Sequence, residues 1–60
     1  MKYYDMIHAL GWNDKQACKE LNCNMYQLKK HMKFESMAIL VSKYNQIVKP
    51  TKEITLNDIE

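Results

Sequence analysis

Two copies of the pattern Asn-x-x-Gln stand eleven residues apart, at 13–16 and 24–27. Asn caps a helix because its side-chain oxygen accepts from a backbone N–H that the first turn leaves without a partner. A Gln three residues later can return a bond to the cap's own N–H. Apolar Trp12 and Cys23 precede the two caps, and Ala17 and Leu28 follow them five residues on, the spacing of a hydrophobic staple. Asn22 falls between the two segments and tolerates a left-handed turn better than any residue but Gly. The pattern predicts two short helices joined by a tight turn.

Flanking segments extend the helical reading. Tyr3, Met6, Ile7 and Leu10 lie at spacings of three and four, one face of a first helix over 2–10, and Gly11 ends it. Met37, Leu40, Val41, Tyr44, Ile47 and Val48 form an amphipathic stripe that predicts a fourth helix over 36–48, stopped by Pro50. His31 and Met32 are expected to close the third helix. One Gly and one Pro in sixty residues disfavour strands and turns. The expected fold class is all-α: a four-helix helix-turn-helix domain over 1–49, then an acidic C-terminal tail over 50–60. Glu53 through Asn57 alternate polar and apolar, so the tail reads either as frayed chain or as a short edge strand.

Size excludes several function classes. Sixty residues make one small domain that buries only about 60% of its unfolded surface. Walls for a deep catalytic pocket are lacking. His8 and His31 have no acid or nucleophile at a suggestive spacing, and no Gly-rich phosphate loop or paired carboxylate site is present. No catalytic residue, no cofactor and no enzyme activity are expected. Cys18 and Cys23 fall short of the four ligands of a structural zinc site and read as reduced, buried apolar thiols, so no metal is expected. The longest apolar run, 37–41, can neither span a membrane nor serve as a signal core. The expectation is a soluble, unexported, cytoplasmic protein.

Charge is uneven. Residues 1–49 hold eight Lys against Asp5, Asp14, Glu20 and Glu35, a balance of +4. Residues 50–60 hold Lys52 against Glu53, Asp58 and Glu60, a balance of −2. With Cys23 and Leu28 turned to the core, Asn24, Met25, Tyr26, Gln27, Lys29, Lys30 and Lys33 face outward. No acid occurs from Cys23 through Phe34. A solvated face usually mixes signs, whereas a helix in the major groove carries this set.

Small Cys18, then Asn22, Cys23 and Leu28 stand four, five and ten residues on. This spacing resembles the helix-turn-helix of Cro- and repressor-type DNA-binding regulators of phages and prokaryotes. That family often has Gly where Asn22 stands and a large apolar residue where His31 stands. The resemblance implies a sequence-specific double-stranded DNA-binding regulator, a repressor, reading the major groove with 24–33. Asn24 and Gln27 would suit an adenine edge, and Met25 and Tyr26 thymine methyls or sugar. Lys29 and Lys30 would reach guanine or phosphate, and Lys33 phosphate. Asn13 and Lys15 would meet a phosphate at the start of the second helix. A homodimer is expected, with Met37, Val41, Tyr44 and Val48 as a shared seam and Ile54 and Leu56 as a strand pair. The stripe equally suits a monomer core. The competing expectation is a small helical inhibitor or adaptor that binds a host protein through the fourth helix and the acidic tail.

Overall fold

The computed structural model describes residues 2–59. The fold is all-α, with helices α1 (Tyr3–Ala9), α2 (Asp14–Leu21), α3 (Met25–Lys30) and α4 (Phe34–Ile47), and a closing 3₁₀ turn at Leu56–Asp58. α4 is the spine: α1 and α2 both pack on it, and α3 packs on α2.

Each helix contributes the face its periodicity assigns. Met6 and Ile7 enter from α1, Ala17 and Leu21 from α2, Leu28 from α3, and Leu40 and Tyr44 from α4. Burying a side chain of Leu or Met size contributes about 1.5–3 kcal/mol. α4 turns a stripe of period four inward: Ser36, Leu40 and Tyr44 are its buried residues. Ser36 is the buried polar member, and its hydroxyl donates to the Leu21 carbonyl at 2.8 Å. That oxygen belongs to the last turn of α2, where the helix supplies no partner of its own. Ser36→Ala is therefore expected to cost about 1–3 kcal/mol, because it leaves a buried carbonyl unsatisfied. Urea unfolding followed by helical circular dichroism checks this, and a loss below about 0.5 kcal/mol would contradict it.

The turns follow local chemistry. Gly11 (φ 77°) and Asn22 (φ 54°) take the left-handed conformation expected of them. Lys49 (φ 52°) takes it as well, which the sequence did not announce. α4 thus stops at Ile47, Lys49 makes a left-handed turn just before Pro50, and the chain folds back. The returning tail is pinned by Asn45, whose side-chain amide donates to the Ile54 carbonyl at 3.0 Å and accepts from the Ile54 N–H at 3.1 Å. Ile54 and Ile59 then pack against the core.

Several expectations change. α4 begins at Phe34, two residues earlier than the stripe suggested. α3 ends at Lys30, and His31 leaves the helical conformation (φ −155°, ψ 64°) and is exposed, so Met32 rather than His31 packs on the core. No strand forms among the described residues. The alternating stretch at 53–57 runs into the 3₁₀ turn, where Thr55 caps Leu56–Asp58. Both backbone polar groups of Ile54 are taken by Asn45, so Ile54 has none to offer a strand pair with another chain. Leu56 is half-buried within the 3₁₀ turn, outside any extended segment. Of the seam residues expected on α4, Tyr44 is buried and the other three are half-buried. Tyr44 is only 7% exposed, and Val41 and Val48 pack against the same core, while Met37 is half-buried. A period of three and four marks an apolar face without saying whether the covering partner is the same chain.

Candidate nucleic-acid interface

A six-residue helix cannot hold itself together, because nucleation costs more than so few hydrogen bonds return. α3 is held from three sides. At its start Asn24 and Gln27 form a full capping box: Asn24 Oδ1 accepts from the Gln27 N–H at 2.8 Å, and Gln27 Oε1 accepts from the Asn24 N–H at 3.1 Å. From below, Leu28 is fully buried. At its end the Tyr3 hydroxyl of α1 donates to the Leu28 carbonyl at 2.9 Å. The spacing of Tyr3 marks it only as part of an apolar face and gives no sign of this bond, whose partner lies 25 residues away.

α2 starts with half of such a box. Asn13 Oδ1 accepts from the Gln16 N–H at 2.8 Å. The Gln16 side chain turns away and donates to Glu20 at 2.7 Å. A carboxylate one turn along is a charge-assisted acceptor, stronger than a neutral one.

These restraints leave one side of α3 in solvent. Tyr26 is 68% and Met25 46% exposed. Asn24, Lys29, Lys30 and Lys33 are exposed, and Gln27 is half-buried. Asn13 and Lys15, at the start of α2, are exposed too. The Lys29 ammonium lies 4.0 Å from Asp14 in the first turn of α2, which brings the start of α2 beside α3. An exposed pair at that distance contributes at most about 1 kcal/mol, so Lys29 is free to exchange it for a phosphate. Phe34, next to Lys33, is 71% exposed and was not singled out by its sequence pattern.

The capping box alters what two of these residues can do. A bidentate contact to adenine uses both the donor and the acceptor of an amide. The acceptors of Asn24 and Gln27 are engaged within α3, and their N–H₂ groups remain. Both serve first to position α3, and each keeps the donors of its N–H₂ group.

Cys18 and Cys23 are half-buried free thiols, less enclosed than expected. Burial first, then the neighbouring Cys18, pushes the Cys23 thiol above its ordinary value, while Lys33 acts in the opposite direction. Tyr4 of α1 is raised above its ordinary 10.0 by burial first, with Asp14 adding to it. The unfolded phenol ionises at the lower pH. Tyr4 therefore contributes stability that is whole below pH 10.0 and lost as pH rises through the folded value. Tyr4→Phe is expected to flatten the fall in stability above pH 10, read by urea unfolding at pH 9 and pH 11. An unchanged slope would contradict it.

No three His, Cys, Asp or Glu side chains converge on a metal position among the described residues. A surface concavity of about 490 Å³ runs along the tail, lined by Lys52, Glu53, Ile54, Thr55 and Asp58. Of the residues singled out from the sequence it includes Ile54, and it includes none of the DNA-facing set. No helix among the described residues is long and apolar enough to cross a membrane. Comparison with known protein families, with curated proteins and with solved structures finds no match to this chain.

Proposed function

We propose that this chain is a sequence-specific double-stranded DNA-binding regulator, a repressor by its resemblance, in which α2 and α3 act as a helix-turn-helix and α3 enters the major groove. The observation that carries the reading is the exposed side of α3. Tyr26, Met25, Lys29 and Lys30 stand outward on a helix held by its cap, by Leu28 and by Tyr3, and exposed Lys33 follows just beyond it, at the N-cap of α4. No acid lies within that stretch. Tyr26 and Met25 pack on thymine methyls or sugar, the lysines meet phosphate or a guanine edge, and Asn24 and Gln27 donate through their N–H₂ groups. Asn13 and Lys15 meet the backbone at the start of α2. One such helix covers only a few base pairs, so two copies on adjacent half-sites belong to this reading.

Selection of bound sites from randomised duplex DNA tests it. The expected result is an enriched motif of a few base pairs, repeated with two-fold symmetry about one helical turn apart. Selection without enrichment would overturn the reading.

A second reading, a helical adaptor for a host protein, is favoured by one observation. Phe34 and Ile47, at the two ends of α4, are 71% and 55% exposed apolar side chains left for a partner to cover. Such a module would show no retention on DNA at low salt.

A further inference from the structure

The turn between α2 and α3 gathers three sulfurs. Asn22 is left-handed, and the Cys23 N–H donates to the Cys18 carbonyl at 3.0 Å. This is the bond of a helix-ending Schellman turn, which sets the side chains at its two ends against each other. Here both are cysteines. Two residues on, Met25 folds back over the turn, and the Cys18 thiol lies 3.7 Å from the Met25 thioether sulfur. We propose that Cys18, Cys23 and Met25 form a three-sulfur site for a soft monovalent cation, Cu(I) or Ag(I).

The geometry suits that ion. With metal–sulfur bonds of about 2.3 Å, as in zinc thiolates, a trigonal ion holds its sulfurs about 4 Å apart. The observed 3.7 Å needs little adjustment. Thioether and thiolate ligands select Cu(I) over harder ions. Zinc wants four ligands, and a thioether is not among its usual set. An ion satisfied by three sulfurs is free of the ligand shortage that excludes zinc. On binding, both thiols release their protons to solvent and the two thiolates with one monovalent cation leave a net charge of −1. The charge of Lys33 favours the Cys23 thiolate. No change of oxidation state is involved. The site stands on the turn itself and does not depend on the DNA reading, although Met25 belongs to both.

The test is titration of the reduced sixty-residue chain with Cu(I), without oxygen, in competition with a coloured Cu(I) chelator. One Cu(I) per chain is expected, with three sulfurs around it by X-ray absorption. Met25→Leu keeps the apolar surface and removes the thioether. It is expected to fold with unchanged helical dichroism, to show two sulfurs and to bind at least tenfold more weakly. Cys18→Ala is expected to lose stoichiometric binding. Parent-like affinity and sulfur count in Met25→Leu would overturn the proposal. Failure of the parent to take Cu(I) from the chelator, or one ion bridging two chains, would overturn it as well.

Discussion

Leu28→Ala is expected to leave the protein unfolded or at the edge of unfolding. Leu28 is fully buried and is the one α3 residue in the core. Truncating a buried Leu costs about 2–5 kcal/mol, the removed methyls plus the cavity they leave. A chain of sixty residues has roughly 3–9 kcal/mol in total, at 0.05–0.15 kcal/mol per residue. The neighbours cannot collapse into the space cheaply, because α3 is pinned at both ends by the capping box and by Tyr3. Urea unfolding followed by circular dichroism measures the loss. Tyr26→Ala, two residues earlier and 68% exposed, is the control and is expected to stay within about 0.5 kcal/mol of the parent. A Leu28→Ala loss under 1 kcal/mol would mean that α3 is not anchored through the core.

The second large effect concerns binding. Replacing Lys29, Lys30 and Lys33 together by Gln is expected to weaken DNA binding by about 10²–10³-fold at 0.1 M salt. Each lysine that neutralises a phosphate releases about one counterion, worth roughly 0.9 in the slope of log affinity against log salt. The triple variant is therefore expected to lose about three units of slope. All three side chains are exposed and none is in the core, so the fold should survive. Because the loss is in phosphate contacts, it should be similar on selected and on random DNA. Tyr26→Ala should instead weaken the selected site more than random DNA. Binding anisotropy with labelled duplexes separates the two patterns, and an unchanged salt slope in the triple variant would remove these lysines from the interface.

Where physics acts locally, the chain was legible. The caps at Asn13 and Asn24 act on backbone groups three residues away, and Gly11 and Asn22 turn the chain by their own conformational preference. Such residues announce themselves wherever they occur. The restraints that hold the candidate site together do not. Tyr3 meets Leu28 across 25 residues and Ser36 meets Leu21 across 15, and neither hydroxyl sits in a recognisable spacing. Asn45 was as silent, since its pairing with Ile54 exists only after Lys49 has turned the chain back. Competition between partners accounts for other differences. Gln16 had a backbone N–H within reach and took the Glu20 carboxylate instead. Gln27 has no acid one turn on and closed its box. Tyr44 shows what periodicity leaves open: its spacing marks an apolar face, and only the packed chain places Tyr44 itself inside.

The central claim is that the exposed side of α3 meets the phosphate backbone of duplex DNA. Its most direct test is the affinity of the parent protein for random duplex DNA as salt is raised from about 50 to 200 mM. Binding at low salt that falls with a slope of about −3 or steeper is the predicted result. No binding at the lowest salt, or an affinity that does not change with salt, would contradict the account.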